Sequence, residues 1–255
     1  MDIGAAIAAV REELRALADP ALAEGERRYL KSDFVHLGVG LPATRRIAFD
    51  AVRDRPSRAD LRALAGGLWA AREEGVPVHE MRMAAIEVLV REVKLLDPDD
   101  IEFAERLIRD SRSWAYVDAL AIKVVGALVV RHPDRPDLGV ALDRFVRDEN
   151  FWIRRTALLA LLPGIRAGHE FGHGDLARLS RYGDLLIDEK EFFIRKALGW
   201  VLRELSRRDP GWVVAWVTPR AGRMSGVTIR EAVRHLPQTE RERLMAAYQE
   251  SRVSA

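Results

Sequence analysis

The sequence contains no cysteine. That excludes disulfides and any zinc site built on thiolates, and it fits a cytoplasmic setting without requiring one. Long apolar runs are missing too. The longest strongly apolar stretch is about Val124–Val130, far short of the ~18 residues a membrane span needs, so no membrane association is expected. The start of the chain, MDIGAAIAAVREELRAL, mixes acids and bases and carries no apolar core or processing site. It reads as an amphipathic helix rather than a secretion signal. There is little charge imbalance: Lys and Arg number 41 against 39 Asp and Glu, a net charge of +2. Global charge therefore does not announce nucleic acid. No P-loop, nucleophile elbow or paired-carboxylate site occurs, and Gly38-Val39-Gly40 is too short and lacks the strand context of a dinucleotide loop.

What the chain does have is an internal repeat. Five stretches pair a basic residue with apolar or small neighbours: Thr44-Arg45-Arg46-Ile47, Met81-Arg82-Met83-Ala84, Ile153-Arg154-Arg155-Thr156, Ile194-Arg195-Lys196-Ala197 and Ile229-Arg230-Glu231-Ala232. Val117-Asp118-Ala119-Leu120 falls in the same register, and successive offsets are 37, 36, 36, 41 and 35 residues. The first unit fits least well, because Thr44 is polar where the others are apolar. A period of this length is that of HEAT-like helical pairs. Five units place Arg at the second position and one places Asp118 there. A row of arginines suggests a polyanion, since the planar guanidinium can take two phosphate oxygens at once. A single acid among them suggests chemistry done on that polyanion.

The local pattern agrees with helices. Apolar residues recur at i, i+3 and i+4 over 81–93, 101–109, 117–130, 140–146, 152–162, 176–187 and 192–205. Asp60, Asp99 and Asp209-Pro210 signal helix starts. Gly75-Val76-Pro77, Asp97-Pro98, His132-Pro133, Pro163-Gly164 and Thr218-Pro219 signal breaks. No convincing alternating strand is present. The expectation is an all-α, HEAT-like helical-repeat solenoid over residues 1–255, curved, a single domain of about 12–14 helices in stacked pairs. The second-position cations would line its concave face, and the polar tail after about Arg243 would fray.

Four segments, in order over about residues 28–205, resemble the AlkD-like DNA alkylpurine glycosylases. They are Arg28-Tyr29-Leu30-Lys31 leading through Phe34 and Leu37-Gly38-Val39 to Pro42 and Arg45; Ser113-Trp114 leading to Val117-Asp118; Asn150-Phe151-Trp152-Ile153-Arg154-Arg155; and Glu189 to Leu205. The resemblance implies hydrolysis of the N-glycosidic bond of cationic N3- or N7-alkylated purines in duplex DNA, with no cofactor and no metal. It places the catalytic aspartate on Asp118, the two tryptophans beside the lesion's sugar on Trp114 and Trp200, a tyrosine on Tyr29 and the phosphate-contacting arginine on Arg155. It also implies that the damaged nucleotide need not enter a deep pocket, so bulky adducts, including those of natural products, would be tolerated. The repeat register adds Arg154, Arg45, Arg82, Arg195, Lys196 and Arg230 as phosphate ligands. Double-stranded DNA is then the partner, the chain a monomer, and the location the bacterial cytosol or nucleoid. The family often has two aromatics where this chain has Ser113-Trp114, and 163–175 is longer and richer in glycine than usual.

The chemistry suits one acid. A purine alkylated at N3 or N7 is already cationic, so it leaves without protonation. Positive charge grows on the deoxyribose, and a carboxylate beside it stabilises that charge and can orient the attacking water, as in a glycosidase with one acid instead of two. Trp114 lies one helical turn before Asp118, so the two share a face, and an aromatic face favours a cation by roughly 0.5–2 kcal/mol. Trp69, Trp152, Trp212 and Trp216 are expected in the core. His169-Glu170-Phe171-Gly172-His173 matches a zinc-protease string, but Gly168, Gly172 and Gly174 surround it, and that string works only on a regular helix. The alternative function is a catalytically silent DNA- or protein-binding repeat scaffold, free to lose the acid that this chain keeps.

Overall fold

The computed structural model describes residues 1–167 and 173–253. The chain forms two compact units, Met1–Val124 and Val125–Ala255. In the first, α1 (Ile3–Ala16), α2 (Pro20–Leu30), α3 (Leu41–Ala51) and α4 (Arg58–Ala70) precede a two-residue antiparallel ribbon, β1 (Arg72–Glu73) and β2 (Val76–Pro77). Then come α5 (His79–Arg91), α6 (Ile101–Arg109) and α7 (Trp114–Leu120), and a π turn over Ala121–Val125. The second unit holds α8 (Gly126–Arg131), α9 (Pro136–Phe145), α10 (Phe151–Leu159), α11 (Leu162–Ala167), α12 (His173–Leu186), α13 (Phe192–Ser206), α14 (Pro210–Val217), α15 (Gly226–Ala232) and α16 (Gln238–Val253). The fold is an all-α helical repeat. No helix among the described residues is long and apolar enough to cross a membrane.

The repeat register is a packing register. Its first positions, Thr44, Met81, Val117, Ile153, Ile194 and Ile229, are all buried, and so are its fourth positions, Ile47, Ala84, Leu120, Thr156, Ala197 and Ala232. All six stretches lie in α3, α5, α7, α10, α13 and α15, starting at the third or fourth residue of the helix. Thr44 keeps its place despite its hydroxyl, which donates to the Val39 carbonyl at 3.1 Å, so the buried polar atom is satisfied. Polar bonds then join one pair to the next at the repeat spacing. Arg45 bonds Glu87 across 42 residues, Tyr182 bonds Asp143 across 39, and Lys196 bonds Glu231 across 35.

Helix ends follow local chemistry. Asp209 accepts from the Trp212 N–H with Pro210 in the first turn, as its sequence signals. Asp60 and Asp99 lie inside the first turns instead; the caps are Ser57, which accepts from the Asp60 N–H, and Asp97, which shares a capping box with Asp100. Pro163-Gly164 breaks nothing. Proline is tolerated in a first turn, and the break falls earlier, between α10 and α11, inside the run read as one helix over 152–162. A second such run, 117–130, is divided by the π turn. The tail past Arg243 continues as helix to Val253, with Leu244 buried.

Within the second unit, α13 packs closely on α15 at Gly199. A Cβ there would stand 2.8 Å from the Glu231 Cβ and 3.1 Å from the Thr228 carbonyl oxygen. Alanine gains up to about 1 kcal/mol of helix propensity over glycine, but overpacking costs about 1–3 kcal/mol. Gly199→Ala should therefore lower the urea midpoint with an unchanged slope. An equal or higher midpoint would mean that α13 and α15 have room between them.

Candidate functional site

In the first unit, α7 carries two of the expected residues. Ser113 caps it, its hydroxyl accepting from the Ala115 N–H at 3.3 Å. Trp114 and Asp118, both half-buried, follow one turn apart and so project from one face. The intervening positions, Tyr116 and Val117, are 1% and 0% exposed. They anchor the opposite face. Tyr29, at the end of α2, is 73% exposed and meets Trp114 edge-on, the ring centroids 6.0 Å apart at 83°. Three of the residues named by resemblance thus lie on two neighbouring elements.

The anchoring of α7 joins apolar burial of Val117 and Leu120 to a polar contact at Tyr116. The Tyr116 hydroxyl bonds His79 Nδ1 at 2.6 Å, and its ring stacks on Phe34 with centroids 6.1 Å apart. Beside it the Arg82 guanidinium lies 4.6 Å from the Phe34 ring centre and 4.5 Å from that of Trp69. It donates to the Asp110 carbonyl and carboxylate, and the carboxylate also takes the Trp69 indole N–H at 3.0 Å. Arg82 is 1% exposed. This corrects its expected role: a guanidinium enclosed by two rings and an acid is a brace within the unit, without surface for a phosphate.

A second buried polar group flanks this brace. The Glu80 carboxylate accepts from the backbone N–H groups of Leu37 and Gly38 at 2.9 and 2.7 Å and fixes the connection into α3. Gly38 there has φ +77, and a Cβ would strike the Asp19 carbonyl. Burial raises the Glu80 carboxyl above its usual range, opposed by those N–H groups. His36 and His79 stack with centroids 4.4 Å apart, and Glu26 completes a cluster with them. Burial pushes His79 down to about 3 and lowers His36, so both rings are neutral near pH 7. Sequence reasoning missed this cluster. Its members lie 10 and 43 residues apart, a spacing that no local motif reveals.

In the second unit, α10 presents Arg154 and Arg155 and α13 presents Arg195, Lys196 and Trp200. Arg155 is 3% exposed; it donates to the Phe193 carbonyl, and its guanidinium lies 5.8 Å from the Phe193 ring centre. Arg154 is half-buried, bonding the Glu189 carboxylate and the carbonyls of Asp148 and Glu149. Arg195 donates to the Glu189 carbonyl at 2.6 Å, and Lys196 pairs with Glu231 at 2.5 Å. In the first unit Arg45 pairs with Glu87 at 2.7 Å. Arg230 is exposed and has no ion-pair partner among the described residues. Most second-position cations therefore already hold an internal partner, with which a phosphate would compete. Trp200 is half-buried, with Arg166 5.7 Å from its ring centre; its indole N–H is buried without a hydrogen-bond partner among the described residues. Trp69, Trp152 and Trp216 are core residues at 5%, 8% and 5% exposure, and Trp212 stacks on Trp216. The string from His169 to His173 lies outside the described residues save for the backbone of His173, which opens α12.

Comparison with known proteins gives the same direction as the residues. A family model described as DNA alkylation repair enzyme matches residues 10–236. A solved structure described as a predicted DNA alkylation repair enzyme from Enterococcus faecalis shares the fold, with a TM-score of 0.74 at 24% identity, over 87% of this chain and 97% of that one. None of the curated proteins compared with the chain matches it. The family match takes in the whole span from Tyr29 to Trp200, and on that match the chain belongs to the DNA alkylation repair enzyme family.

Proposed function

We propose that this chain is a DNA glycosylase that releases N3- or N7-alkylated purines from duplex DNA. The observation that carries the reading is the pair on α7, Trp114 and Asp118 one turn apart, with Tyr29 edge-on to the indole. Water adds at the deoxyribose C1′ as the bond to the purine breaks. The bonding electrons go to the cationic base, which leaves neutral, and the water proton passes to Asp118 or to solvent. Asp118 stabilises the charge growing on the sugar, and Trp114 adds a face that favours that cation over a neutral sugar. The half-buried positions of both suit contact with a sugar at the surface rather than a base extruded into a deep pocket, as many glycosylases require; this supports tolerance of bulky adducts. Phosphate contacts would hold the duplex without reading its sequence. The scaffold reading keeps one observation in its favour: most of the register cations, Arg230 excepted, are engaged within the protein.

Duplex DNA containing N7-methylguanine separates these readings. Purified protein should produce abasic sites without added metal. Asp118→Asn should slow release about 10²–10³-fold, the loss of one electrostatic stabiliser, with DNA affinity unchanged. Release at wild-type speed by the variant would remove Asp118 from the chemistry, and no release by the wild type would favour the scaffold.

The phosphate ligand on α10 is a separate question. Family resemblance favours Arg155, whereas exposure favours Arg154, because Arg155 is 3% exposed and bonded to Phe193. We assign the contact to Arg154. Arg154→Ala should then reduce the salt slope of duplex binding by about one unit, while Arg155→Ala lowers thermal stability and leaves the slope in place. The reverse result would return the contact to Arg155.

A further inference from the structure

We propose that Glu26, His36 and His79 form a binding site for one divalent transition-metal ion, with Zn²⁺ the natural occupant, which braces the elements carrying Tyr29 and Trp114. The three residues come from separate elements of the first unit: α2, the connection from α2 to α3, and the first position of α5. Their ligand atoms lie within 4.8 Å of one another. Glu26 Oε2 stands 3.8 Å from His36 Nδ1, too far for a hydrogen bond.

Orphaned atoms point to a ligand. Glu26 Oε2 and both nitrogens of His36 are buried with no hydrogen-bond partner among the described residues, and the His36 side chain is 1% exposed. Buried polar atoms are nearly always bonded, and each exception needs a cause. A shared cation supplies one for the carboxylate oxygen and for an imidazole nitrogen together. His79 is prepared in the same sense. Its Nδ1 is bonded to the Tyr116 hydroxyl at 2.6 Å, which leaves Nε2 as the coordinating atom. A metal-bound histidine almost always has such an outer partner on its second nitrogen.

The donor set selects the ion. Two imidazoles and one carboxylate suit zinc and its neighbours in the transition series, whereas calcium and magnesium favour oxygen ligands. Zinc–nitrogen bonds of about 2.0–2.1 Å in a tetrahedron place neighbouring ligand atoms about 3.3 Å apart. Binding therefore needs the trio to draw in by up to about 1.5 Å, and the two rings to tilt out of their 13° stack. Water completes the fourth position. The consequence reaches the α7 pair through two short links. Glu26 lies three residues before Tyr29 on α2, and Tyr116, the partner of His79, lies between Trp114 and Asp118 on α7. The ion is structural in this reading and takes no part in base release.

The test uses the full chain, stripped with a chelator, dialysed and titrated with ZnCl₂. We expect one zinc per chain by calorimetry and by elemental analysis, a zinc-dependent rise in Tm, and with Co²⁺ the visible absorption of a tetrahedral site. Glu26→Gln, at a half-exposed residue, should keep the fold by circular dichroism and weaken zinc binding at least tenfold; His36→Gln should do the same. The double variant His169→Ala/His173→Ala should bind as the wild type does. Absence of stoichiometric zinc would overturn the proposal, as would undiminished binding by both cluster variants. Loss of binding in the His169/His173 variant would move the ion elsewhere and equally overturn it. The readouts are binding and stability, so a negative result leaves the glycosylase reading untouched.

Discussion

The structure depends on a bond made from one helical pair to the same place in the next. Arg45 to Glu87, Tyr182 to Asp143, Arg220 to Asp184 and Lys196 to Glu231 all span 35 to 42 residues. Each lies within one compact unit. A single helical pair cannot bury its apolar face, so stacking supplies the stability, and the buried first and fourth register positions do that work. Half-exposed ion pairs add little energy each, about 0–1 kcal/mol. Their contribution is alignment: a cation in one pair meets an acid only when the neighbouring pair is neither rotated nor shifted.

That constraint explains what the sequence reveals and what it hides. The period is legible because every repeat must bury the same positions, and even Thr44 obeys it by bonding the Val39 carbonyl. The row of arginines is equally legible, but its meaning is not. An arginine facing a phosphate and one facing Glu87 look alike until the acid one repeat away is placed. Arg82 is the extreme case. Phe34, Trp69 and Asp110 reach it from three different segments, and no periodicity connects them. Helix ends divide similarly. Asp209-Pro210 is read correctly because the cap and the proline are adjacent, whereas Asp60 is outcompeted by Ser57, three residues earlier.

The candidate site was legible to the extent that it lies on one helix. Trp114 and Asp118 share a face because four residues make about one turn, and that follows from numbering alone. The contact between Tyr29 and Trp114 joins residues 85 positions apart, which only resemblance to a family could suggest. Trp200 and Arg155 came by the same route. The structure adds facts that resemblance does not carry: the buried indole nitrogen of Trp200 and the enclosure of Arg155 against Phe193.

The scaffold beneath α7 bears on any chemistry assigned to Asp118. Electrostatic stabilisation is effective when the charged group is already in place, so that little reorganisation accompanies the reaction. A carboxylate on a flexible loop would have to be ordered in each cycle. Asp118 instead sits on a short helix whose opposite face is fixed by Tyr116, fully buried, bonded to His79 and stacked on Phe34. Phe34 in turn covers Arg82, and Arg82 holds Asp110, four residues before the start of α7. Buried charge and unbonded imidazole are costly in a core whose only task is to fold. Here they cluster around Tyr116, the buried anchor of the helix that carries Asp118: His79 bonds its hydroxyl, His36 stacks on His79, and Arg82 covers the Phe34 ring that stacks on Tyr116.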